Sequence, residues 1–163
     1  MQDAKAPKYF PHRGWVFFGA LALCSLIGLR SRYELALVVG KSMLPTLTPG
    51  DLLIVDKKAY RLKEPVRGDI VLAEYRKELV IKRIIGLPGE EVEVKQGRLY
   101  VNGISCQENH PVERGYLNIQ KGTMLIGRFA TLGDNRNVSQ AQIIHPILSK
   151  ENIVGKVVVS LGL

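Results

Sequence analysis

Two cysteines, three histidines and a single tryptophan stand in 163 residues. Each shortage excludes something. Cys24 lies inside an apolar N-terminal run and Cys106 far down the polar part, so no disulfide framework and no cysteine-based metal site is expected. His12, His110 and His145 have none of the short spacings a metal site needs, and each reads as a surface or turn residue. There is no run of five or more Lys/Arg; basic residues such as Lys57, Lys58, Arg61, Lys63 and Arg67 are spread singly or in pairs. No helix-turn-helix, zinc-finger or RNP pattern accompanies the formal charge of +8, so anionic lipid headgroups account for it better than nucleic acid does.

Only one long apolar run is present, Trp15–Leu29, uncharged throughout and stopped by Arg30 and Arg32. It is short against the roughly 20 apolar residues of a bilayer span. Snorkelling of Arg13 and Arg30 and an interfacial Trp15 make up the difference. A cleaved secretory signal would show a small-x-small site after the run, where Leu29-Arg30-Ser31-Arg32 stands; a buried soluble helix is the other alternative. The reading adopted is a basic tail over 1–14, an uncleaved transmembrane anchor over 15–32 and a folded body over 33–163. Lys5, Lys8 and Arg13 face Arg30, Arg32 and Lys41 across the span, so charge alone leaves orientation nearly tied.

Beyond the anchor the composition is 46% hydrophobic and 23% charged with 16 glycines and 8 prolines, a turn-rich β pattern. Short apolar stretches at 35–39, 52–55, 70–73, 79–85, 92–94, 98–101, 124–126, 129–131 and 154–159 read as strands. Gly50-Asp51, Gly68-Asp69, Gly86–Gly89, Asn102-Gly103 and Gly133–Asn135 read as turns, and only 149–152 and the anchor as helical. The expected fold is mainly β, a small coiled β-sheet barrel or sandwich behind one N-terminal transmembrane helix.

The stretch Gly40–Asp51 places a serine directly after an apolar strand, in a loop stiffened by Pro45 and Pro49. A protonated hydroxyl is a poor nucleophile and needs a base. No histidine is suitably placed, but a lysine serves if burial makes its ammonium costly. Lys82 sits within an otherwise apolar strand, pointing with Val80 and Ile84, while Arg83 points with Ile81 and Ile85. From periodicity alone, a buried base and a strand-edge lysine reaching water stand equal.

Ser42–Leu47, Pro49–Asp56, Arg67–Val71, Lys82–Glu90 and Gly133–Arg136 with Ser139, in this order and spacing, resemble the motif series of the bacterial type I signal peptidases. Each motif is weak alone; the five in register cover about Gly40 to Lys156. The resemblance implies a serine endopeptidase of peptidase family S26, with Ser42 as nucleophile and Lys82 as general base, needing no cofactor, histidine or metal. It implies that the Ser42 backbone N–H joins an oxyanion hole, where Gly40 replaces a hydroxyl-bearing residue of many relatives, and that Ser139 orients the lysine amine. Arg83 and Asp134 match a structural ion pair. Ala141 and Ile143 stand where the family has Asp and Arg, so a second pair is expected to be missing. The implied partners are signal-peptide-bearing precursors cut after a small-x-small site, and a lipid bilayer, not nucleic acid. The implied location is the plasma membrane, single-pass, with the body on the extracytoplasmic side. Val38, Val39, Met43 and Ile81 are either groove walls for an extended substrate or plain core.

Competing readings are a self-cleaving regulator of the DNA-damage response, a conjugative-transfer peptidase and a catalytically dead tethered binding protein. The apolar run argues against the first, the intact Ser42 and Lys82 against the last.

Overall fold

The computed structural model describes residues 23, 25, 28–137 and 146–162, and the backbone divides into two units, Met1–Arg32 and Tyr33–Leu163. In the first unit the described residues are helical. Among the described residues no helix is long and apolar enough to cross a membrane; most of the expected anchor lies outside them.

The second unit is mainly β, as expected. Its strands are β1 (Tyr33–Leu37), β2 (Leu52–Asp56), β3 (Ile70–Tyr75), β4 (Glu78–Gly86), β5 (Glu91–Lys95), β6 (Arg98–Val101), β7 (Ile104–Ser105), β8 (Ile119–Thr123), β9 (Arg128–Leu132), β10 (Ile147–Ser149) and β11 (Ile153–Leu161). They form a seven-stranded sheet in the order β1-β2-β11-β3-β4-β9-β10 and a four-stranded sheet in the order β7-β6-β5-β8. Neighbouring strands pair antiparallel throughout both sheets. Two-residue connections make the tight hairpins: Arg76-Lys77, Gln96-Gly97 and Asn102-Gly103 all have positive φ at both positions, the backbone that matches strand twist.

Alternation along β3 and β4 sorts the core. Val71, Ala73 and Ile84 pack with Phe129 and Leu148 on one face, with Val80 beside them. Leu72 and Ile81 turn the other way, toward Val38, Met43, Leu47, Leu53 and Val55. Ile85 joins a third cluster with Val92, Val94, Leu99 and Leu132, which links the two sheets. Lys82 therefore shares its face with Val80 and Ile84, and Arg83 lies between Ile81 and Ile85, as their spacing predicts.

Three features differ from expectation. The apolar triplet Met124–Ile126 is not a strand: it precedes β9 as a turn that leaves Leu125 and Ile126 exposed. The strand beside it is β8, whose Ile-Gln-Lys-Gly-Thr carries one apolar side chain and is held by backbone pairing to β5. β7 and β10, two and three residues long, are too short for any periodicity to reveal. The 149–152 segment does wind, as a 3-10 turn over Lys150–Asn152, with Asn152 Oδ1 accepting from Ser149 N at 3.0 Å and Ser149 Oγ at 2.9 Å.

Candidate active site

Beyond β1 the chain turns through a tight loop whose base is closed by Val38 N–H donating to Asp51 O at 3.0 Å and Gly50 N–H to Val38 O at 2.8 Å. Leu47 N–H donates back to Met43 O at 2.9 Å, so residues 43–47 form one turn around the cis Leu44–Pro45 bond. Met43 and Leu47 are both buried in the cluster below, which pins the loop to the sheet from inside. Ser42 rides on this turn, half-buried.

Lys82 comes from the middle of β4, opposite Val71 of β3. Only 6% of it is exposed, and its Nζ lies 2.8 Å from Ser42 Oγ, hydrogen-bonded to it. Burial, the larger effect, holds the amine below its ordinary value of 10.5, and the Asp134 carboxylate opposes this. A hydroxyl and a desolvated amine at hydrogen-bond distance are the parts of a nucleophile and its base. Among the described residues no group of three or more His, Cys, Asp or Glu side chains is placed to hold a metal ion.

The segment after β9 sets the register of the two. Asn135 N–H donates to Ser42 O at 3.0 Å, and its side-chain Nδ2 to Lys41 O at 3.1 Å. Gly133 lies so close that a Cβ on it would meet Ser42 O at 2.2 Å. Between them Asp134, wholly buried, takes a forked bond from Arg83, Nε to Oδ1 at 2.8 Å and Nη2 to Oδ2 at 2.6 Å. Arg83 also donates through Nη1 to Gly68 O at 2.7 Å. The expected ion pair is thus present, one residue along from Lys82.

A family model described as Signal peptidase, peptidase S26 matches residues 12–161. This chain belongs to that family. It is 36% identical to the probable signal peptidase I-2 of Synechocystis sp., covering 95% of this chain and 77% of that one. It is 35% identical to signal peptidase I of Bacillus caldolyticus, over 89% and 87% of the two chains. A solved signal peptidase I from Enterococcus faecalis V583 is 30% identical, covers 58% of this chain and 97% of its own, and superposes with a TM-score of 0.44.

In this peptidase the residues considered for a groove separate. Val38 and Met43 are buried in the core, Ile81 is partly buried against the same cluster, and Val39 alone is open, 81% exposed. Gly40 is exposed, with none of the described residues within 4 Å of where a Cβ would stand. Ser139, Ala141 and Ile143 lie outside the described residues.

His110 meets half of its expectation: it lies at a bend of the chain but is no surface residue. Its side chain is 15% exposed, with Nε2 3.6 Å from both Glu108 Oε1 and Asp134 Oδ1 and, among the described residues, no hydrogen-bond partner. Burial, foremost, and the neighbouring Arg83 hold its pKa below 6.5. Glu108 in turn is forked by the fully buried Arg136, which also donates to Gly97 O at 2.8 Å. This second buried pair escaped sequence reasoning. A charged pair 28 residues apart, with β8 and β9 between its partners, leaves no periodic trace; the glutamate between Cys106 and His110 was the one available hint.

Proposed function

We propose that this serine endopeptidase of the type I signal peptidase family removes N-terminal signal peptides from exported precursors by a Ser42–Lys82 mechanism. One observation carries the reading: the amine of a lysine that is 6% exposed stands 2.8 Å from a serine hydroxyl on a loop held from three sides. With Nζ neutral, the Ser42 O–H donates to it, and Oγ attacks the scissile carbonyl carbon as the proton passes to Lys82. The oxyanion that forms faces the Ser42 backbone N–H, and the Gly40 side adds no hydroxyl. Lys82 then protonates the leaving amine; a water attacks the acyl carbon as it gives a proton to the same Nζ, and Nζ passes that proton to Ser42 Oγ as the acyl group leaves.

An extended precursor with small residues at the first and third positions before the cut fits a site whose neighbouring apolar side chains, Val38 and Met43, are already packed inward. The uncharged run Trp15–Leu29 supports a single-pass anchor in the plasma membrane, and exported substrates support a body on the extracytoplasmic side.

The test is cleavage of a precursor bearing an Ala-x-Ala site by the intact chain in vesicles. Ser42→Ala and Lys82→Ala are each expected to abolish cleavage while leaving the circular dichroism spectrum unchanged. Cleavage retained by either variant removes the dyad. The wild-type rate is expected to rise with pH along a limb below 10.5, because the base must be neutral and burial lowers its pKa. A limb at the value of free lysine would count against a buried base.

A further inference from the structure

We infer that Thr46 is a positioning residue, its hydroxyl latching the loop that carries Ser42 onto the Arg83–Asp134 pair and so setting the Ser42–Lys82 distance. The inference rests on the proposed Ser42–Lys82 reading and goes beyond it.

Thr46 sits on the last turn of the Ser42 loop, half-buried, four residues from the serine. Its Oγ1 donates to Asp134 Oδ2 at 2.5 Å, with Pro111 O at 3.4 Å a weaker alternative acceptor. Arg83 Nη2 approaches the same Oγ1 at 3.4 Å, completing a triangle. The corners of that triangle belong to three segments distant in sequence. Thr46 is joined through Met43 and Leu47 to Ser42. Arg83 follows Lys82 on β4. Asp134 stands between Gly133, packed on Ser42, and Asn135, which holds the Ser42 carbonyl.

Asn135 and Gly133 meet the turn at Ser42, and Val38 closes the base of the loop at Gly50 and Asp51. The Thr46 hydroxyl is the side-chain bond that ties the far end of the turn directly to the ion pair, and so limits its pivoting about Ser42. Both oxygens of Asp134 accept from Arg83, and Thr46 is the second donor to Oδ2. An acceptor with no exposed surface has no water to replace a lost donor. Without the hydroxyl the turn loses its direct side-chain bond to the pair. Ser42 then moves off Lys82 and water reaches the amine, which removes the desolvation that keeps its pKa low.

Thr46→Val keeps the shape and deletes the hydroxyl; Thr46→Ser keeps the hydroxyl and deletes the methyl. In precursor cleavage, Thr46→Val is expected to lower kcat roughly ten- to a hundredfold with KM little changed. Its pH-rate limb is expected to move toward higher pH. Thr46→Ser is expected to stay within about threefold of wild type with the limb in place. A purely structural role would lower the folded fraction without moving the limb. A Thr46→Val limb and kcat at wild-type values overturn the inference, as does a Thr46→Ser variant impaired like Thr46→Val. Ser42→Ala in the same assay separates the two levels. If it still cleaves, the dyad itself is wrong; if it is dead while Thr46→Val is normal, only the latch is wrong.

Discussion

Adding one methyl group at Gly133 is expected to disable the site without touching either reacting group. A Cβ there would stand 2.2 Å from Ser42 O, 3.0 Å from its carbonyl carbon and 3.2 Å from its Cβ. These are mostly backbone atoms, which cannot swing aside as the tip of a long side chain can. Restoring an ordinary contact demands a retreat of about 1 Å. Taken along the Ser42–Lys82 hydrogen bond, now 2.8 Å, such a retreat carries Oγ beyond hydrogen-bond reach. Misplacement on that scale costs about a hundredfold in rate, or about 2.7 kcal/mol of barrier. The added volume costs a further ~1–3 kcal/mol of stability. The assay is kcat for precursor cleavage by Gly133→Ala, corrected for folded fraction by circular dichroism and thermal unfolding. Two controls bracket it. Gly155→Ala brings a comparable clash, 2.6 Å from Asp56 O, away from Ser42, and should lower Tm while leaving kcat per folded molecule nearly intact. Gly40→Ala meets none of the described residues within 4 Å and should change little. A folded Gly133→Ala enzyme that cleaves at the wild-type rate would refute the claim that this contact sets the position of Ser42.

Burying Lys82 has a cost that should be measurable. Its folded pKa lies below 10.5, so across the window from that lowered value up to 10.5 the unfolded chain binds more protons, and stability rises with pH. Below the window the buried ammonium destabilises in full, and Lys82→Met should raise the urea midpoint at neutral pH and flatten the alkaline rise; an unchanged midpoint would contradict it. His110 gives the matching prediction on the acid side. Its folded pKa lies below 6.5 among Arg83, Asp134, Glu108 and Arg136, so stability should fall as pH drops below 6.5 and level off beneath the folded value. His110→Asn should remove that component of the pH dependence, read from urea unfolding at pH 4 to 7.5, and identical curves for the two proteins would refute it.

What could be read from the sequence was whatever a single strand or turn expresses by itself. Lys82 was legible because β4 is apolar on both faces, so a lysine in its middle is conspicuous, and alternation correctly paired it with Val80 and Ile84. Asn102-Gly103 was legible as a hairpin turn because its backbone needs positive φ. Periodicity could not say whether the Lys82 amine reaches water, since that depends on what folds over it, and the answer came from a loop 40 residues away. Met124–Ile126 misled for the converse reason: its apolar side chains satisfy a strand pattern, whereas β8 is held by backbone bonds that its own polar side chains do not announce. Gly133 read as an ordinary turn glycine, although its lack of a side chain is needed for contact with Ser42.

The same distinction bears on the proposed role of Lys82 as a base beside a buried carboxylate. An aspartate in direct contact with Lys82 would form a salt bridge and favour the ammonium, raising the pKa that catalysis needs lowered. Asp134 acts on Lys82 only as a charge at a distance, because Oδ1 accepts from Arg83 and Oδ2 from Arg83 and Thr46. Desolvation is therefore the larger of the two effects on the amine. The ion pair next to the site stiffens it and, by occupying the carboxylate, leaves Ser42 Oγ as the amine's hydrogen-bond partner among the described residues. A scaffold residue that kept the fold but freed Asp134 to turn toward Lys82 would lose activity through the base, not through the nucleophile.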